Sequence, residues 1–188
     1  MLQGPTVLSV VLAAGLLAVL SLLAAVLWSI SVPSRRVWPP KRQTAAGKAT
    51  VWALTLVAFG CAAWLGIGDW NAFQLNPVLR WGVGLPLIIV GNVIVWMGVL
   101  EIGFAATSGE ATGLRTGGLY RYSRNPQYVA DMAMVAGWAV LSASSWLLPL
   151  AVAIVALLAL TPLAEEAWLR EVYGPEYARY RQKVRRYL

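Results

Sequence analysis

Two stretches hold most of the polar chemistry of this chain. One is Gly117-Gly118-Leu119-Tyr120-Arg121-Tyr122-Ser123-Arg124-Asn125-Pro126-Gln127-Tyr128, and the other is Glu165-Glu166. The first supplies guanidinium, amide and phenol groups, and the second supplies adjacent carboxylates. Pro126 suits the first turn of a helix, where its missing N–H costs nothing, and Asn125 then falls at or near the N-cap. A helix N-terminus beside arginines favours a carboxylate or phosphate. Paired glutamates favour a cation or sugar hydroxyls. Adjacent on a helix and about 100° apart, one glutamate can face the site and the other an arginine such as Arg170.

A ligand with both kinds of group suits the pair of stretches. S-adenosylmethionine is one, with its sulfonium, ammonium, carboxylate, ribose and flat adenine. NADPH is another, although its phosphates ask for more basic residues and fewer acids. Asp131 lies three residues beyond Tyr128 and faces roughly the same way. An ionisable group at membrane depth marks a functional site, so Asp131 is a candidate for lining the pocket and receiving an amine or its proton. Glu101 is a second catalytic candidate, with a loop arginine as its alternative partner. Asn92 reads as an interhelical hydrogen-bonding residue.

The chain has no histidine and one cysteine, Cys61. That removes histidine bases, an intrachain disulfide and a cysteine-rich zinc site, and no metal is expected. Gly117-Gly118 supports a tight turn and lacks the Gly-Lys-Ser/Thr ending of a phosphate loop.

The positioning elements are apolar. Of 188 residues 59% are hydrophobic and 12% charged, far from the roughly 25% charged residues of soluble domains. An all-α membrane protein follows, read as a single domain over 1–188. Five spans are expected at about 6–30, 49–67, 81–104, 128–145 and 146–164, with Ser142-Ala143-Ser144-Ser145 as the turn between the last two. The first run is read as a retained span, since nothing basic precedes it. Lysines and arginines number five in 31–48, one in 68–80, three in 105–127 and six in 165–188, so fourteen of fifteen fall on one side. The positive-inside rule then puts the N-terminus outside and segments 105–127 and 165–188 in the cytosol of an inner or cytoplasmic membrane. The net charge of +7 is accounted for in this way, without a nucleic-acid partner.

The hairpin of spans four and five has arms of equal length, each rising about 27–28 Å. It returns Glu165 and Glu166 to the membrane face that holds Arg124, Asn125 and Tyr128.

Residues 118–128, Glu165-Glu166 and Tyr173-Gly174-Pro175-Glu176-Tyr177-Ala178-Arg179-Tyr180 together resemble the signature of integral-membrane methyltransferases. These are the isoprenylcysteine carboxyl methyltransferases and the related phospholipid N-methyltransferases. The family pattern reads G-x-Y-R-x-x-R-(H/N)-P-x-Y, a hydrophobic hairpin, E-E, and F/Y-G-x-x-Y-x-x-Y. The likeness covers about residues 113–188. Asn125 stands where many members have histidine, which resembles the phospholipid branch. Membrane sterol and steroid reductases carry a related R-H-P-N-Y segment and use NADPH, so they are the rival reading; a non-enzymatic lipid-binding scaffold is a third. The resemblance implies that S-adenosylmethionine is bound by Leu119, Tyr120, Arg124, Asn125, Pro126, Tyr128, Glu165 and Glu166, with the cytosolic C-terminal helix closing the pocket. It also implies a lipidic or small hydrophobic acceptor entering sideways from the bilayer.

Overall fold

The computed structural model describes residues 4–40, 44–107 and 113–188. Lys41, Arg42 and positions 108–112 of the polar segment lie outside the described residues. Among the described residues five long helices form: α1 (Pro5–Ser31), α2 (Ala45–Gly68), α3 (Leu85–Thr107), α4 (Pro126–Ser142) and α5 (Leu147–Lys183). A turn at Pro77–Leu79 and a π-helical stretch at Arg80–Gly84 lead directly into α3.

Among the described residues four helical stretches are long and apolar enough to cross a membrane: Pro5–Ser31, Ala45–Gly68, Pro77–Glu101 and Leu147–Lys183. The fourth expected span, α4, is 17 residues long and falls short of that length. The last helix runs well beyond residue 164, where the sequence suggested a span would end. Glu165-Glu166-Ala167-Trp168-Leu169-Arg170-Glu171 is composed mainly of good helix formers, so nothing stops the helix there. It breaks at Gly174 (φ 47, ψ −125), just before Pro175.

Helix α1 packs on α2 and α5, and α4 packs on α3 and α5. Leu8, Val19, Leu65, Val135, Leu147, Leu150 and Ile154 make the shared core. Glycines at 84, 91 and 98 recur every seven residues and let α4 run close along α3. A Cβ on Gly84 would stand 2.7 Å from the Leu141 nitrogen, and one on Gly91 would stand 2.8 Å from the Ala130 oxygen. Close approach through small residues replaces the hydrophobic drive that lipid cannot supply. This stripe sets the packed face of α3. Asn92, one residue off it, is exposed, which differs from the expected interhelical role.

The turn between α4 and α5 is clasped from outside. Arg80 Nε donates to the Leu141 carbonyl at 2.8 Å, at the C-terminal end of α4. Asp69 Oδ2 accepts the N–H groups of Ser145 (2.8 Å) and Trp146 (3.1 Å), and the hydroxyls of Ser144 and Ser145. Each charge sits at the helix end whose dipole it complements. Burial pushes the Asp69 carboxyl up, but these hydrogen bonds outweigh it and hold the group below its ordinary value.

Candidate functional site

Asn125 is the N-cap residue of α4 and Pro126 takes its first turn. The Asn125 side chain does not cap the helix; Nδ2 donates to the Arg186 carbonyl at 2.9 Å. Residues 184–188 fold back across the start of α4. The Arg124 N–H donates to the Arg185 carbonyl at 2.9 Å, and Tyr187 donates its hydroxyl to the Ala159 carbonyl on α5. That carbonyl is one residue on from the one that Pro162 deprives of its usual helical partner.

The hairpin brings Glu165 and Glu166 to this same end, where they diverge. Glu165 Oε1 accepts the Tyr128 hydroxyl at 2.6 Å and the Trp38 indole N–H at 2.9 Å. Glu166 is buried among arginines: Arg124 at 3.0 Å, Arg170 at 3.5 Å, and Arg186 through two bonds of 2.6 and 3.1 Å. Both glutamates lie past the apolar run of α5, which ends at Ala164. Burial pushes the Glu165 carboxyl up, only partly offset by the bonds from Tyr128 and Trp38. Burial also acts on Glu166, but the Arg186 hydrogen bond and the charges of Arg124 and Arg186 hold it below the ordinary value. Glu166 in turn raises Arg186.

A cavity of about 910 Å³ opens beside this cluster. Of the candidates read from the sequence, Tyr120, Arg124, Asn125, Tyr128, Asp131 and Glu165 line it. Leu119, Pro126, Glu166 and Glu101 do not. Glu101 instead accepts the Leu119 N–H at 3.2 Å and abuts Gly118 (φ +51), leaving no room there for a side chain. It thereby fixes the 3₁₀ turn Gly118–Arg121 that carries Tyr120. Burial raises the Tyr120 phenol, so it stays neutral. Arg124 Nη1 donates to the Tyr177 hydroxyl at 3.2 Å, while its Nε is buried without a partner.

Other residues on the wall were not among the expected cofactor-binding residues: Trp38, Lys48, Arg115 and Trp168, with Tyr173, Tyr177 and Tyr180 named only as part of the family signature. The three tyrosines are the aromatic positions of the Y-G-x-x-Y-x-x-Y stretch, so that spacing was the available signal. Trp38 has none of its own; its neighbours Pro39 and Pro40 read only as loop. The loop is held by Ser29 Oγ, which accepts the N–H groups of Val37 and Trp38 at 2.9 Å each, and by the pairing of Arg36 with Glu171 at 2.5 Å. Among the described residues no three histidine, cysteine, aspartate or glutamate side chains cluster as a metal site would require.

An all-helical bundle with membrane-crossing stretches and a charged, aromatic-walled cavity at one end fits an enzyme that meets lipid. The chain belongs to the phospholipid methyltransferase family, whose model matches residues 79–176, just over half of the chain. The matched stretch includes Arg124, Asp131, Glu165 and Glu166, and leaves out α1, α2, Trp38 and Arg186. No curated protein and no solved structure matches the chain.

Proposed function

We propose that the protein is an integral-membrane methyltransferase that takes its methyl group from S-adenosylmethionine and passes it to a lipidic or small hydrophobic acceptor. The observation that carries this reading is the meeting of Arg124 and Glu165 on one cavity whose other walls are largely apolar and aromatic. The residues present fit the cofactor. Arg124 offers a cation, and its buried Nε has no partner. Glu165 takes both of its hydrogen bonds on Oε1, leaving Oε2 without one among the described residues. A cavity of about 910 Å³ lies in the range of small-molecule sites.

The cofactor supplies an already activated methyl group on a sulfonium. The chain's own residues supply alignment and exclusion of water. Arg124 would bind the carboxylate, and Glu165 the ammonium or ribose hydroxyls. Glu166 and Arg186 would hold Arg124 in place from behind. Glu101 would act as a positioning residue through the Gly118–Arg121 turn. Leu22, Val26, Phe59, Val99 and Leu158 give the cavity an apolar arm suited to the acceptor. Asp131, on that same cavity, would orient the acceptor or take its proton.

We further propose five spans, with α4 as the fourth, the N-terminus outside and the site on the cytosolic face. The one-sided placement of fourteen of the fifteen lysines and arginines supports this orientation. Calorimetric titration with S-adenosylhomocysteine and with NADP tests the cofactor. Binding of the first and not the second is expected. Binding of NADP alone would select the reductase reading, and binding of neither would select the lipid-binding scaffold.

A further inference from the structure

On the aromatic wall of the cavity, Trp38, Tyr128, Tyr173, Tyr177 and Tyr180 are each hydrogen-bonded to protein. Trp38 has a single donor, its indole N–H, and that is bound to Glu165 at 2.9 Å. The Tyr128 hydroxyl donates to the same carboxylate oxygen at 2.6 Å. Tyr173 accepts the Gly113 N–H at 3.1 Å, Tyr177 accepts from Arg124 at 3.2 Å, and Tyr180 donates to the Tyr120 carbonyl at 2.5 Å. Trp38 has only ring surface left to offer a ligand, and Tyr128, with its O–H already donated, has its ring and one acceptor lone pair. Ring faces carry negative quadrupole density, and the group to which Trp38 and Tyr128 both bond, Glu165, is a carboxylate.

We infer that Trp38, Tyr128 and the tyrosines of the α5 end form, around Glu165, a cage for a soft cation, either a sulfonium or a methylated ammonium. An aromatic enclosure with one acid suits such a group better than a compact, strongly hydrated cation, because methyl groups on sulfur or nitrogen spread the charge over an apolar surface. Trp38 belongs to the α1–α2 loop and lies outside the stretch that matches the family. This chain therefore closes its site with a residue from its N-terminal half. The wall is built in place: Ser29 Oγ accepts the Trp38 backbone N–H at 2.9 Å, and Pro39 next to it is fully buried. The sulfonium half of the inference rests on the proposed cofactor, and the ammonium half does not.

The test is calorimetry on the full-length protein in detergent, with S-adenosylmethionine, S-adenosylhomocysteine and tetramethylammonium as probes. The first two differ only in the charged methyl-sulfonium. Trp38→Leu is expected to lower S-adenosylmethionine affinity about fivefold more than S-adenosylhomocysteine affinity. Glu165→Gln, which keeps an acceptor for Trp38 and Tyr128 but removes the charge, should widen that difference further. Trp38→Phe, which keeps a ring, should retain most of the discrimination and guards against a misfolded leucine variant. If the cage serves an ammonium, Trp38→Leu will instead weaken tetramethylammonium and leave the ratio of the two nucleosides intact. Unchanged ratio and unchanged tetramethylammonium affinity in Trp38→Leu and Glu165→Gln would overturn the inference. Wild-type protein that binds neither nucleoside would remove the cofactor reading. Tetramethylammonium binding that depends on Trp38 would then still support the cage, and its absence would overturn that too.

Discussion

Arg186 closes on Glu166 with two hydrogen bonds, 2.6 and 3.1 Å long, joining the end of the described chain to the site. The same glutamate holds Arg124 at 3.0 Å. Glu166 is thus the post to which the cavity-lining arginine is tied, and Arg186 holds that post through two further bonds. Arg186→Ala is expected to cost about 2 kcal/mol of stability, the scale of a charge-assisted hydrogen bond lost to a buried group. S-adenosylhomocysteine affinity should fall as well. Arg186→Lys should recover less than half of the stability, because lysine lacks the planar fork that makes two parallel bonds. Thermal unfolding in detergent checks the first expectation and calorimetry the second; full rescue by lysine would count against the account.

Asp131 is expected to act on the acceptor and leave the cofactor alone. Asp131→Asn should lower turnover about 100-fold if the group handles a proton. S-adenosylhomocysteine affinity should stay within about twofold of the wild type. Unchanged turnover together with wild-type acceptor affinity would remove the role.

The Asp69 clasp makes a pH-dependent contribution. Its hydrogen bonds hold the folded carboxyl below the ordinary value of 3.8, so the unfolded chain binds that proton more readily. The stability it contributes is complete above the ordinary value and is lost as pH falls through the lower, folded one. Asp69→Asn should therefore be less stable than wild type near neutrality. The gap should narrow on acidification, followed by unfolding at pH 7 and at pH 3. A gap that stayed constant would contradict the assignment.

Gly84→Ala should destabilise by about 1–3 kcal/mol, because its Cβ would meet backbone atoms of Gly137 and Leu141, which cannot swing aside. Gly60, on α2, has open space around it, so Gly60→Ala should be neutral or stabilising by helix propensity. Denaturation of the two variants side by side separates close helix approach from a general effect of removing glycine.

The main apolar runs were legible in the sequence because a span announces itself by length and composition. Equal arm lengths also put Tyr128 and Glu165 at one membrane face, and the two meet there at 2.6 Å. Contacts set by tertiary approach left no such trace. Glu101 reaches a backbone N–H in a turn 18 residues away, and no periodicity encodes that. Asn125 has the residue type and place of a cap, yet the returning chain at Arg186 claims its side chain. Trp38 reaches Glu165 across 127 residues from a loop that reads only as prolines and positive charge. The continuation of α5 past residue 164 was masked by its change from apolar to charged, which alters what the helix faces without ending it.

The central claim is that this cavity moves a methyl group from S-adenosylmethionine to an acceptor drawn from the membrane. Its most direct test is to incubate the purified protein with native lipids and methyl-labelled S-adenosylmethionine, then follow the label by mass spectrometry. The account predicts label in a discrete lipid or small hydrophobic species with wild-type protein, and its loss with Arg124→Ala. No label in any lipid or small-molecule fraction would contradict it.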